Sequence, residues 1–282
     1  MATRVLTALV LIPPVAYVIG WGPEWLYLLV LIATVERGLY EFYTISRRTG
    51  FKSFEAVGYV ACPWLCLAQA AGLRRSEAPS VAGALGLALL VLVVVLTMGL
   101  GLIWTPELKQ YLGSVSSTIL GIIYIGGTLS CLVPLRFSRQ PASPGAGREL
   151  ILFLFLVVCA GDIVAYFIGR QVGRTRLFPR VSPLKTVEGA VGGLAGSLLV
   201  AWGFARWSWR TADLGTVMLL AGLVAVAGQI GDFVESALKR GADLKDSGAL
   251  LPGHGGLLDR IDSLIFSAPV LWLALAFKDV WR

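Results

Sequence analysis

The sequence predicts an all-α, polytopic integral membrane protein with about nine transmembrane helices, and three observations carry that reading. Hydrophobic residues make up 56% of the 282-residue chain and charged residues only 15%, against about 25% charged in soluble domains. Mean hydropathy is +0.77. The apolar residues gather in runs of about 20, the helix length that crosses about 30 Å of hydrocarbon. This composition excludes a soluble globular domain and a disordered chain. The 33 glycines show no triplet period and the four cysteines no disulfide or zinc spacing, which excludes a collagen-like chain and a disulfide scaffold.

The runs lie near residues 4–20, 24–43, 54–72, 80–104, 114–135, 150–169, 187–207, 213–234 and 261–278. The first contains Pro13 and Pro14, which are tolerated where neighbouring helices satisfy the freed carbonyls. Around Val15, Ala16 and Tyr17 it lacks a small-x-small cleavage pattern, so it reads as a retained helix and not as a secretory signal. The second and fourth runs are the cleanest. Residues 140–147, with two prolines and two glycines, read as the loop between the fifth and sixth helices. In the seventh, Gly189 with Gly193 and Gly192 with Gly196 form small-xxx-small pairs suited to close helix packing. Cys62, Cys66, Cys131 and Cys159 are expected to be buried small hydrophobes, and Trp21, Trp25, Trp104, Trp207, Trp209 and Trp281 to anchor helix ends at the interfaces.

A net charge of +7 invites nucleic acid as a partner, but a bilayer is the simpler sink for it. With nine crossings, 15 of the 24 Lys and Arg residues fall on the N-terminal side. The positive-inside rule therefore places the N-terminus and the two most basic loops in the cytoplasm. Carboxylates at membrane depth are costly and tend to be retained for function. Of the 17 Asp and Glu, eight fall in or beside three stretches: Asp162, Glu188, Asp232, Glu235, Asp243, Asp246, Asp259 and Asp262.

At the end of the eighth run, Asp232, Glu235, Ser236 and Lys239 follow an i, i+3, i+4, i+7 spacing, which puts two carboxylates, a hydroxyl and an ammonium on one helical face. Asp259, Asp262 and Ser263 repeat the arrangement at the start of the ninth. Two such sets can converge on a divalent cation, and hard oxygen donors suit Mg²⁺, which completes its shell with water and substrate phosphate. The alternative is a set of ion pairs with Lys239, Arg240 and Arg260 capping two helices. Between the sets, three glycines surround His254, the protein's only histidine, in a loop whose amides can point at an anion. Flanked by Lys239, Arg240, Lys245, Asp246 and Arg260, it reads as a polyphosphate and metal site. In the other basic loop, Ser182 is expected as an N-cap and Pro183 as the first helical residue. That would place Lys185 and Thr186 at a helix N-terminus, where free amides and the dipole attract phosphate. Asp162, with Tyr166 one turn on, either points into the same polar cavity or makes a buried helix-to-helix hydrogen bond.

The run Ser236-x-Leu238-Lys239-Arg240, then Lys245-Asp246, then Pro252-x-His254-Gly255-Gly256-Leu257-x-Asp259-Arg260-Ile261-Asp262 resembles the signature of the CTP:phosphatidate cytidylyltransferases, the CDP-diacylglycerol synthases, over 27 residues. Ser182-Pro183-x-Lys185-Thr186-x-Glu188-Gly189, Asp162-x-x-Ala165-Tyr166 with Gly169, and Arg4-x-x-Thr7 extend the likeness over most of the chain. The resemblance implies transfer of a cytidylyl group from CTP to phosphatidic acid, with release of pyrophosphate, by a multi-helix membrane enzyme that forms a homodimer. It implies Mg²⁺ held by Asp232 and Asp259, with a monovalent cation such as K⁺ beside it near Ser236.

On that basis Asp232, Asp259, Lys239, Arg240 and Asp262 are the expected catalytic residues, and Asp232, Asp259 and Ser236 the expected metal ligands. Ser182, Lys185, Thr186, Glu188, Lys245, Asp246, His254, Arg260 and Asp162 are expected to bind substrate. Residues 1–150 would form a scaffold of about five helices, and 151–282 about four helices with catalytic loops at the cytoplasmic face of the inner membrane. Two rivals are a related cytidylyltransferase with an isoprenoid-type acceptor and an ion-coupled transporter. Against the transporter, the polar residues gather at one face and not at mid-membrane.

Overall fold

The computed structural model describes residues 13–74, 79–105, 107–137, 146–250 and 255–276; Arg4, Thr7, residues 140–145, His254 and Trp281 lie outside them. Helix α1 (13–20) is followed by α2 (Glu24–Arg48), α3 (Glu55–Arg74), α4 (Pro79–Trp104) and α5 (Leu108–Gly121). A π-helical turn, Ile122–Gly127, then leads into α6 (Thr128–Ser130) and α7 (Leu132–Arg136). Next come α8 (Ala146–Val172), the strands β1 (Arg176–Phe178) and β2 (Ser182–Thr186), α9 (Val187–Trp207), α10 (Leu214–Gly241) and α11 (Leu258–Ala276). The helical class is as expected, with one short hairpin added. Among the described residues, Leu108–Arg136, Gly147–Val172, Val187–Trp207 and Leu214–Gly241 are long and apolar enough to cross a membrane. Large apolar side chains on these helices point outward, with Leu199 67% and Leu219 64% exposed. Such surface is tolerated where hydrocarbon, and not water, is the solvent.

The chain divides into two compact units, Met1–Phe137 with Gly241–Arg260 and Ser138–Arg240 with Ile261–Arg282. In the first, α2 supplies an aromatic spine whose polar tips find backbone acceptors. The Tyr27 hydroxyl donates to the Leu132 carbonyl and the Tyr43 hydroxyl to the Thr118 carbonyl, each at 3.3 Å. The Phe54 amide donates to Thr118 Oγ1 at 2.7 Å, and Ser53 and Ser117 pair through their hydroxyls at 2.9 Å. In an apolar surround an unmatched hydroxyl would cost about 2 kcal/mol or more, so these ties fix the helix register. The π-turn lies where bare backbone meets bulk: a Cβ at Gly121 would fall 2.7 Å from the Tyr43 ring and 2.9 Å from Phe42.

In the second unit, α8 and α9 pack along a seam of small residues. A Cβ at Gly193 would lie 2.8 Å from the Gly161 carbonyl oxygen and 2.9 Å from Ala165 Cβ; one at Gly189 would lie 2.9 Å from the Ala165 carbonyl. Gly192 and Gly196 receive Ile168 and Val164. The Ser197 hydroxyl, fully buried, donates to the Val157 carbonyl at 2.8 Å. The expected glycine pairs therefore face α8.

Two expectations are corrected. Ser182 is not an N-cap: residues 182–186 are a strand that pairs antiparallel with β1, Arg176 opposite Thr186 and Phe178 opposite Ser182. The helix begins at Val187, capped by Thr186, whose Oγ1 accepts from the Gly189 amide at 3.1 Å. Pro183 fits this because its fixed φ also suits a two-stranded edge that needs no donor from it. Cys159 is exposed on α8, whereas Cys62, Cys66 and Cys131 are buried thiols; an outward thiol costs little where the surround is apolar. Half-buried Trp209, just beyond the end of α9, has its ring 5.0 Å from Phe153 and from Phe204 and its Nε1 donating to Glu149 at 2.7 Å.

The seam predicts a position-specific response. Gly193→Leu would force α8 and α9 apart and cost about 1–3 kcal/mol. Gly203→Leu on the same helix meets nothing within 4 Å. Thermal unfolding in detergent should show a midpoint lowered by several degrees for the first and unchanged for the second; equal midpoints would refute the seam.

Candidate functional site

Two constellations carry the polar chemistry, one in each unit. In the Ser138–Arg240 and Ile261–Arg282 unit, the β1–β2 hairpin brings Lys185 to α10, where its ammonium forms an ion pair with Asp232 and lies 4.5 Å over the ring of Phe233. Phe178 on β1 meets the same ring edge-on at 5.0 Å. Phe233 thus serves as the anvil on which the hairpin rests. Asp262 joins the cluster: its carboxylate feels the negative charge of Asp232 and, more weakly, of Asp162, and the opposing charge of Lys185. The Asp262 Oδ1 accepts the Ser263 amide at 2.7 Å. Gly231 makes this approach possible, since a Cβ there would fall 2.5 Å from the Asp262 carbonyl oxygen. Ser236 is half-buried, one helical turn beyond Asp232. Asp232 paired with Lys185, and Asp262 near both, form an acidic centre with hard oxygen donors.

Neighbouring residues are committed elsewhere. Lys239 Nζ pairs at 2.6 Å with Glu235, which is fully buried. The Glu188 carboxylate accepts the backbone amides of Arg174 and Thr175 at 3.1 Å, so it ties the start of the hairpin to the first turn of α9. Thr186 is 3% exposed and spends its hydroxyl on the cap. Arg240 is exposed at the end of α10.

In the Met1–Phe137 and Gly241–Arg260 unit, Asp259 Oδ2 accepts from the Ser247 amide at 2.9 Å, the Ser247 hydroxyl at 3.0 Å and the Gly256 amide at 2.8 Å. Three donors lock the carboxylate in one orientation at the start of α11, where the helix dipole favours negative charge. Gly255 adopts φ +81°, a left-handed conformation that a side chain would strain, and a Cβ there would fall 2.6 Å from Asp259 Oδ2. Lys245, Asp246 and Arg260 are exposed around it, and His254 lies outside the described residues.

Glu41 on α2 is the residue that sequence reasoning missed. It is 1% exposed, and its carboxylate accepts from Arg37 Nε at 3.1 Å, Ser247 Oγ at 2.8 Å, Leu257 N at 3.1 Å and Leu258 N at 2.8 Å. From the sequence it reads as half of an i, i+4 ion pair with Arg37. Its other partners are more than 200 positions away, so no local pattern announces them.

Among the described residues, no three His, Cys, Asp and Glu side chains form a complete metal-binding group. The carboxylate oxygens of Asp232 in one unit and of Asp259 in the other are each of the hard type that Mg²⁺ takes.

The sequence matches the family described as "Cytidylyltransferase family" over residues 2–278. Among curated proteins, the phosphatidate cytidylyltransferase of Bacillus subtilis (strain 168) is 41% identical over 157 residues, 56% of this chain and 56% of the relative. That of Synechocystis sp. is 36% identical over 196 residues, 61% of this chain and 65% of the relative. That of Brucella suis biovar 1 is 46% identical over 158 residues, 54% of each. The chain thus spans between half and two thirds of the length of the curated relatives it matches.

The role of Phe233 is open to a direct test. Phe233→Ala removes the edge-on ring pair and the cation–π contact, together worth about 1–2 kcal/mol. Trypsin should cut at Arg176 or Arg180 about tenfold faster than in the parent protein, since cleavage follows the open population. Unchanged cleavage would show that the hairpin is held by other contacts.

Proposed function

The chain belongs to the cytidylyltransferase family, and from that premise we propose that it is a phosphatidate cytidylyltransferase, converting CTP and phosphatidic acid to CDP-diacylglycerol and pyrophosphate. The observation that carries the reading is the family match across residues 2–278, together with relatives named for that activity.

In the reaction, an oxygen of the phosphatidate monoester attacks the α-phosphorus of CTP, and the bond from that phosphorus to the β-bridging oxygen breaks to release pyrophosphate. A phosphate monoester is already an anionic nucleophile at neutral pH, so no strong general base is needed. The difficulty is bringing two anions together, which positive side chains relieve by neutralisation and positioning. Lys185, Lys239, Arg240, Lys245 and Arg260 are the proposed phosphate clamps, with Ser182 and His254 as hydrogen-bond donors to phosphate oxygens. Asp232 and Asp259 are each proposed as carboxylate ligands of Mg²⁺, with Ser236 near an accompanying K⁺. When bound, Mg²⁺ would supply charge neutralisation on the triphosphate. Asp262 and Asp162 shape the negative field in which Asp232 sits. Glu188 and Thr186, through their bonds to backbone amides, hold Lys185 on its strand.

The proposal extends to setting. Nine crossings of the inner membrane with the basic loops in the cytoplasm would present the polar residues to soluble CTP and to phosphatidate in the leaflet. A homodimer is the proposed assembly, and the surplus of positive charge serves the membrane surface and not nucleic acid.

Purified protein in detergent or liposomes, supplied with labelled CTP, Mg²⁺ and phosphatidate, should form lipid-bound CMP, and chelation of divalent ions should abolish it. Asp232→Asn and Asp259→Asn should each lower turnover about 1,000-fold or more with an unchanged unfolding midpoint. Near wild-type turnover in either variant would remove that residue from the chemistry. An isoprenoid phosphate accepted in preference to phosphatidate would reassign the acceptor.

A further inference from the structure

Glu41 lies on the buried face of α2, 1% exposed, and burying a carboxylate is costly unless its acceptor sites are met. It is met by four donors, three of which come from the segment that leads into α11. Leu258 opens that helix and Leu257 immediately precedes it, so neither amide has a partner within the helix. The Ser247 hydroxyl lies 2.8 Å from Glu41 Oε2 and 3.0 Å from Asp259 Oδ2. Both neighbours are carboxylates that accept only, and a serine has a single hydroxyl proton, so that proton couples the two acids. The backbone is cut away to admit the contact. A Cβ at Gly248 would fall 2.9 Å from Glu41 Oε1, and one at Gly256 would collide with Ser247 and Glu41.

We propose that Glu41 is a positioning residue for the transfer reaction: it pins Ser247 on one side and Leu257 and Leu258 on the other, and so sets the orientation of the Asp259 carboxylate. The role rests on the activity given under Proposed function. An apolar side chain at this position would leave the Ser247 hydroxyl and the Leu257 and Leu258 amides without the acceptor that orients them. What Glu41 adds is a fixed distance between α2 and both ends of the glycine-rich segment. Groups that orient a ligand carboxylate in this way typically affect activity by about 10–100-fold when removed.

The test compares the full-length parent protein with Glu41→Gln, Ser247→Ala and the double variant, all in the same detergent. Glu41→Gln keeps the size but turns one acceptor into a donor facing donors; Ser247→Ala deletes only the bridging hydroxyl. Glu41→Gln should lower kcat about tenfold or more, with KM for CTP within about twofold of the parent. Hydrogen exchange should rise in peptides covering 244–260 and stay unchanged in α8 and α9. Ser247→Ala should lower kcat in the same sense, and the double variant should lose no more than the worse single, as expected for residues acting in one network. Parent-like kcat in Ser247→Ala overturns the proposal, as do losses that multiply in the double variant. Exchange that rises across the whole chain in Glu41→Gln, or its failure to fold, would mark Glu41 as a general stabiliser and overturns the proposal unless Ser247→Ala shows the local, kcat-confined loss. A parent protein that forms no CDP-diacylglycerol would sink the activity assignment instead, which keeps the two failures apart.

Discussion

A carboxylate sealed from water must be met by donors, and the way Glu41 on α2 meets that demand fixes residues 247–258 within the Met1–Phe137 and Gly241–Arg260 unit. Its acceptors draw in a segment more than 200 residues away along the chain. Without those bonds, residues 241–260 would be a connection between two helices with little reason to settle. With them, the segment folds into the first unit, and its own acid, Asp259, is held by amides whose positions the same contacts determine. The polar network is fully local to one unit, and it converts an electrostatic cost into geometric definition.

The other unit solves a different problem. Hydrocarbon provides no drive for two apolar helices to associate, so α8 and α9 meet through backbone proximity and a buried serine hydroxyl. That contact leaves α10 to carry the acidic face and the hairpin to bring Lys185 to it. Phe233 lies at the centre of this arrangement because an aromatic ring presents a face to a cation and an edge or face to another ring.

Hydropathy made most helices legible. The run expected at 187–207 is the observed α9, because its apolar stretch is continuous, although its cap is Thr186 and not the expected Ser182. The run expected to end at 234 continues to Gly241, because Asp232, Glu235, Ser236 and Lys239 lower hydropathy without breaking the helix. Motif spacing brought out Asp232, Lys185, Asp259 and Asp262 as a polar set, and the structure gathers Asp232, Lys185 and Asp262 in one unit. The hairpin was not legible: Ser182-Pro183 carries the same local preferences at a helix start as at a strand edge, and strand pairing is decided by residues several positions upstream. Glu41 was illegible for a stronger reason, since long-range hydrogen bonds leave no periodicity in either partner.

The glycine seam between α8 and α9 has one more consequence. Its contact atoms are the Gly161 and Ala165 carbonyl oxygens together with the short or β-branched side chains of Ala165, Val164, Ile168 and Ser197, so it contains few rotatable bonds to freeze when the helices meet. An interface of interlocking leucines offers many rotamers for repacking; one closed by carbonyl oxygens and β-branched side chains offers few. The spacing of this pair of helices is therefore set by its backbone, while its outward surface, Leu199 among it, is left to meet the lipid.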